Sequence, residues 1–290
     1  VDQEFMPVVT DHHRAGTFPV ELVPRMAELG VFGASIKEYD LPGLSAVPYG
    51  LTMLELERGD SGLRSFASVQ NSLVMFPIMQ WGSQEQKDRW IPALASGMAV
   101  GCYGLTEPDF GSNPGGMRTR LKAKGKGFVL DGAKAWITNG SLADVGVVWA
   151  RDDSGAVRGV LVERGMPGFE ARAYHGKFSL RASNTSELFF QDVEISPENI
   201  LPGTSALKHQ LMCLNEARFG IAWGAIGAAL AVAEHALEYT KSRVQFGGKP
   251  IASHQIVQEK LAWMVTEIAK AQVLMWHLSK LKDAGKLHHS

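Results

Sequence analysis

A chain of 290 residues with 45% hydrophobic side chains is long enough for more than one domain and apolar enough for sizeable cores. A net charge of −1 argues against nucleic acid or an anionic membrane as the main partner. Two cysteines, Cys102 and Cys213, cannot build a disulfide framework, which points to a reducing compartment. Residues 1–14 lack the basic and then apolar pattern of a signal peptide. The chain starts at Val1 within what reads as a helix and stops at Ser290 soon after another, so both ends are expected to be cut.

In chain order, residues 19–29 predict a helix stopped by Gly30. Residues 49–58 predict a second. Ser83 with Gln86 three positions on predicts a capping box that opens a third. The period then changes. Residues 127–132 read as a strand entering a turn, and residues 145–150 and 157–162 as a hairpin closed at Asp152-Asp153-Ser154-Gly155. Residues 188–195 give a further strand.

Residues 207–244 predict one long helix, broken at Gly247-Gly248-Lys249-Pro250. Ser253 is expected to cap a second, with Ile256, Leu261, Met264, Ile268, Met275 and Leu278 at helical spacing. The longest apolar run, 221–233, has roughly 13 residues against the roughly 20 that span a bilayer, so a buried soluble helix is expected. The order is α+β: an all-α domain at 1–101, a middle antiparallel β domain (barrel or sandwich) at 102–203, and an incomplete helical bundle at 204–290.

The chain has no GxGxxG after a strand, no GxxxxGK[ST], no HExxH, no CxxC and no GxSxG. His12-His13 and His288-His289 are adjacent pairs rather than i, i+4 pairs, so no metal site is read. The unusual stretch is 102–114, where glycines and prolines fix the backbone and Thr106 and Ser112 offer hydroxyls. It reads either as a linker or as a loop that presents donors to a planar heterocycle or a phosphate. Trp136, beside Ile137 and Thr138, reads either as strand core or as a ring that stacks on a flat ligand. Glu57 and Arg64 share a face if their helix continues past Gly59. Arg64 precedes a mostly apolar segment, 66–78, and needs an anionic partner there, either Glu57 or a ligand carboxylate. Arg243 reads as a cation at a helix C-terminus or as a phosphate ligand.

Together the motifs resemble the acyl-CoA dehydrogenase family of flavoproteins: YGLTEPDFGS at 103–112, WIT at 136–138, and RVQFG at 243–247 with Gln255 downstream. Within it, the glutaryl-CoA branch is most similar, on ERGDSGLRS at 57–65, SVQNSLVM at 68–75, GKFSLRAS at 176–183 and LNEARFGIAWG at 214–224. The resemblance implies FAD held between a helical domain, a β domain and a helical bundle. Tyr103, Leu105, Thr106, Gly111 and Ser112 would cradle the flavin. Thr106 and Thr138 would bond its ring edges, and Trp136 with Ile137 would cover it. Ser112 would also face CoA, and Leu211, Leu214, Asn215 and Arg218 would line the CoA path.

In the same branch, Arg64 and Ser65 would meet the distal carboxylate of a glutaryl group, with Glu57 positioning the arginine. Arg243, Phe246 and Gln255 would serve the FAD of a neighbouring subunit, which implies a homotetramer. The implied reaction is α,β-dehydrogenation of glutaryl-CoA with loss of CO2 to crotonyl-CoA, the electrons passing to an electron-transfer flavoprotein. Alternatives are another short-chain or branched acyl-CoA, or a non-catalytic flavin- or thioester-binding protein. The family's glutamate base is expected beyond Ser290, so the 290 residues alone are expected not to turn over. The implied location is the cytoplasm of a bacterium or the mitochondrial matrix of a eukaryote.

Overall fold

A computed structural model describes residues 1–288. The chain opens with α1 (Met6–Ala15), α2 (Val23–Glu28) and α3 (Ala46–Gly59). Asp60 then turns to an extended backbone and accepts from the Gly62 N–H, capping α4 (Ser61–Ser68). The helical rod continues through a π-helical stretch, Val69–Met75, into α5 (Phe76–Trp81). The capping box at Ser83 and Gln86 forms as the spacing predicts and opens α6 (Gln84–Ala95).

Buried Gln70 ties this helical layer to the next. Its amide donates to the Leu94 and Ala99 carbonyls and its oxygen accepts from the Gly101 N–H. An unpaired amide in that core would be costly, so three partners fix where the first strand begins.

The middle third holds β1 (Gly101–Gly104), β2 (Arg120–Lys124), β3 (Gly127–Thr138), β4 (Val145–Asp152), β5 (Val157–Glu163), β6 (Phe169–Ala173) and β7 (Thr185–Ile195). They form one seven-stranded sheet in the order β1-β4-β2-β3-β7-β6, with β5 on β4. The predicted hairpin forms between β4 and β5, and Asp152 accepts from the Ser154 and Ala156 N–H groups at its turn. The β2–β3, β3–β7 and β6–β7 pairings are also antiparallel, as the sequence predicts for the domain. Two parallel pairings, β1 with β4 and β2 with β4, join the antiparallel parts. Residues 145–150 of β4 are therefore buried throughout, which explains an unbroken apolar run in place of alternation.

Two long helices follow: α7 (Leu207–Ser242), a two-residue hairpin of β8 (Val244–Gln245) and β9 (Lys249–Pro250), and α8 (Gln255–Asp283). They run antiparallel, since Lys282 pairs with Glu216 while Trp223 Nε1 donates to Ser279 Oγ. Ser253 does not cap α8. It lies in a 3-10 turn, Ile251–Ser253, and the helix opens after His254 without a side-chain cap. Helix α7 is long and apolar enough to cross a bilayer by length and composition alone. Here its face packs against α3. Gly50 lets the Trp223 indole in, and Gly227 lets the Leu54 carbonyl close on the helix backbone. Ile268, Ala271 and Leu278 of α8 complete this core, while Trp263, Leu274 and Trp276 are exposed.

Candidate active site

The segment after β1 is held from below by charge. Lys134 on β3 has no exposed surface. Its ammonium donates to the Leu105 carbonyl at 3.2 Å and to Glu107 Oε1 at 2.9 Å. Glu107, 5% exposed, also accepts from the N–H groups of Arg118 and Thr119 and from Thr119 Oγ1. Burial opposes the charge on both partners. For Lys134 it prevails over Glu107 and lowers the lysine to about 8. For Glu107 the Lys134 ammonium and the N–H and hydroxyl donors outweigh burial and hold the carboxyl below its usual value.

This titration has a sign that denaturation can read. Lys134 sits near 8 in the fold against its ordinary 10.5, so the unfolded chain binds more protons between those values. Unfolding free energy therefore gains an upward slope there, of at most about 1.4 kcal/mol per pH unit. Lys134→Met removes it. In urea titrations, the stability difference between wild type and variant should move in favour of the wild type as pH rises through the window. A constant difference would contradict the buried ammonium.

Beyond Lys134, β3 breaks its alternation. The pairing with β7 shifts register between Lys134 and Ile137, and Trp136 takes a φ of 60°. The bulge lets Lys134, Ala135 and Ile137 point inward and throws Trp136 out, 64% exposed, onto Tyr174 at 4.5 Å between ring centroids. The tryptophan is thus not core. The Ala135 N–H donates to the Thr106 carbonyl at 2.9 Å and brings the two motifs side by side.

They open on a cavity of about 340 Å³. Tyr103, Leu105, Thr106, Gly111 and Ser112 line it from one motif, and Trp136, Ile137 and Thr138 from the other. Leu211, Leu214 and Arg218 close it from one face of α7. Tyr103 fixes that helix by donating from its hydroxyl to the Gln210 carbonyl at 3.0 Å, and its burial raises the phenol well above its ordinary range. Val69 and Leu73 of the π-helical stretch and Pro114 add lining that the sequence reading missed. Ser65, Val69 and Leu73 recur every fourth residue, and that spacing was the available signal. Among the described residues, no carboxylate lines the cavity, and the hydroxyls of Thr106, Ser112 and Thr138 have no protein hydrogen-bond partner.

Glu57, Arg64 and Ser65 do not line this cavity. Arg64 and Ser65 sit on α4, about a turn before Val69, and Glu57 on the last turn of α3. Glu57 and Arg64 meet across the break at Asp60. Arg64 Nε donates to Glu57 Oε2, and Ser61 donates to Glu57 Oε1. Arg64 is 9% exposed, yet among the described residues neither Nη has a hydrogen-bond acceptor. Asn215 accepts from Arg218 and lines an adjoining cavity of about 440 Å³. Arg243, Phe246 and Gln255 are exposed at the far end of α7. The helix rise puts Arg243 roughly 45–50 Å from Leu211, so one chain does not bring the two sets together.

Residues 1–98, 102–193 and 207–290 match in turn the N-terminal, middle and C-terminal domains of acyl-CoA dehydrogenase. The glutaryl-CoA dehydrogenase of Mycobacterium smegmatis, solved in complex with FADH2, is 50% identical with a TM-score of 0.97 over 99% of this chain and 74% of that one. The butyryl-CoA dehydrogenase of Megasphaera elsdenii is 34% identical with a TM-score of 0.92 over 98% of this chain and 77% of that one. An acyl-CoA dehydrogenase of Bacillus subtilis is 37% identical over 98% of this chain and 76% of its own length. With all three domain matches in order and the whole described fold shared, the chain belongs to the acyl-CoA dehydrogenase family.

Proposed function

We propose that this chain binds FAD and glutaryl-CoA for α,β-dehydrogenation, with loss of the distal carboxylate as CO2 to leave crotonyl-CoA. One observation carries the choice of a dicarboxylic substrate. Glu57 holds Arg64 by Nε alone, and among the described residues neither Nη donor of this largely buried guanidinium has an acceptor. A buried cation in that state is suited to a second, bidentate carboxylate. Ser65, next on the helix, is its companion donor.

The cavity fits a flavin on its own chemistry. An exposed indole stands at a bulge beside three hydroxyls that have no partner among the described residues, which suits a flat ring with acceptors on its edge. Trp136 and Ile137 cover the ring, and Thr106 and Thr138 donate to its edges. Tyr103, Leu105 and Gly111 shape the bed. When bound there, FAD supplies the acceptor for the β hydride.

Ser112 marks the passage to the CoA side, which Leu211, Leu214, Asn215 and Arg218 line. The α proton goes to a glutamate outside the described lining. Arg243, Phe246 and Gln255 reach the FAD of a neighbouring subunit in a homotetramer, because the length of α7 keeps them from their own. Trp136, exposed on Tyr174, offers the electrons a surface exit to an electron-transfer flavoprotein. Two free, buried thiols, Cys102 and Cys213, suit a reducing compartment, the bacterial cytoplasm or the mitochondrial matrix.

Two measurements test this reading. Trp136→Ala should raise the FAD dissociation constant of the apoprotein by roughly 2- to 10-fold, the worth of one aromatic stack, as followed by flavin fluorescence. An unchanged constant would remove Trp136 from the site. In the full-length protein, anaerobic glutaryl-CoA should bleach the bound flavin and release CO2. Bleaching without CO2 would leave a dehydrogenase that does not decarboxylate.

A further inference from the structure

The chemistry above uses neither Lys134 nor Glu107, although they form a charged pair buried directly beneath the cavity. A methionine in place of Lys134 would fill nearly the same space without desolvating an ammonium, so stability alone does not call for the lysine. What the ammonium does is set backbone direction. Every partner of the pair lies in residues 105–119, the stretch that carries Leu105, Thr106, Gly111 and Ser112.

The Leu105 carbonyl points down at Lys134 Nζ. No peptide bond among the described residues is cis, and in a trans peptide the N–H points opposite to the carbonyl of the same unit. The Thr106 N–H is therefore turned up, to the side on which Thr106 lines the cavity. Among the described residues it has no acceptor. The following peptide is locked as well, since the Thr106 carbonyl accepts from the Ala135 N–H. The loop thus presents one backbone donor at a fixed angle, held from underneath by a cation.

We propose that Lys134 is a positioning residue for the flavin: through the Leu105 carbonyl it aims the Thr106 N–H at an acceptor on the ring edge. Glu107 holds Lys134 in place and balances its charge. The inference rests on the flavin reading of the cavity. It has an electrostatic consequence. Reduction adds electron density to the ring, so a fixed donor above a buried cation favours the reduced form. Removing the cation and removing its counter-charge should then act in opposite directions.

The test is the flavin midpoint potential of holoprotein carrying Lys134→Met or Glu107→Gln, with the FAD dissociation constant and thermal midpoint measured alongside. Lys134→Met should lower the potential and weaken FAD by roughly fivefold, the worth of one hydrogen bond. Glu107→Gln, which keeps an acceptor for Lys134 but removes the negative charge, should raise the potential at a pH low enough to keep Lys134 protonated without Glu107. Two variants that both lose thermal stability while their potentials stay put or move together would make the pair purely structural and overturn the proposal. Should Lys134→Met not fold, a potential at or below the wild-type value in Glu107→Gln would overturn it and a higher one would support it. A wild-type protein that takes up no FAD would overturn the flavin reading and this inference together, whereas FAD uptake with unshifted variants would overturn only the inference.

Discussion

In the full-length protein, Arg64→Ala is expected to cut kcat/KM for glutaryl-CoA by roughly 10- to 150-fold, the loss of a charge-assisted contact of about 1.5–3 kcal/mol, and to cut that for butyryl-CoA much less. The guanidinium is largely buried, its Nε is occupied by Glu57, and among the described residues its Nη atoms have no acceptor. Of the two substrates, only glutaryl-CoA carries a distal carboxylate to pair with them. The variant also strands Glu57, whose side chain is nearly buried, and that penalty falls on both substrates. The ratio of the two losses is therefore the readout. Arg64→Lys should fall between, because an ammonium keeps the charge but not the planar fork. Equal losses on both substrates would make the ion pair structural.

Gly227→Ala is expected to destabilise the protein by about 2–3 kcal/mol and to lower its thermal midpoint by roughly 5–10 °C. In an isolated helix the same change would stabilise, by up to about 1 kcal/mol, because alanine is the better helix former. The sign reverses here because a methyl at 227 would overlap the Leu54 carbonyl oxygen, a backbone atom that cannot swing aside. The α3–α7 crossing must then open. That crossing also seats Gly224 against the Glu57–Arg64 pair, so glutaryl-CoA turnover should fall with stability. An unchanged or raised midpoint would contradict the close approach.

Local signals carried well from sequence to structure. The capping box at Ser83, the turn at Asp152 and the 36-residue α7 each depend on near neighbours in the chain and are readable from them. Signals that depend on distant partners were not readable. Nothing near β4 announces that it pairs in parallel with β1 and β2. Strand alternation cannot foresee the bulge that exposes Trp136 and buries Lys134, because only the pairing with β7 creates it. A lysine in a strand ordinarily reads as outward-facing, so the anchor beneath the cavity was invisible.

The site shows the same division. The motif residues of 103–112 and 136–138 gather on one cavity as their pattern suggested. Val69 and Leu73 were missed because apolar residues at helical spacing look like core from either face. The ion pair of Glu57 with Arg64 was open in the sequence because Gly59 and Gly62 interrupt the helix. The Asp60 cap resolves it by ending one helix and starting the next with the pair still in reach.

The most direct measurement of substrate choice is the ratio of kcat/KM for glutaryl-CoA to that for butyryl-CoA in the full-length wild-type protein, with an artificial electron acceptor. An Arg64 fork awaiting a carboxylate predicts a ratio well above one, about tenfold or more. A ratio below one would contradict it and leave Arg64 as the internal partner of Glu57 in an enzyme for monoacyl thioesters.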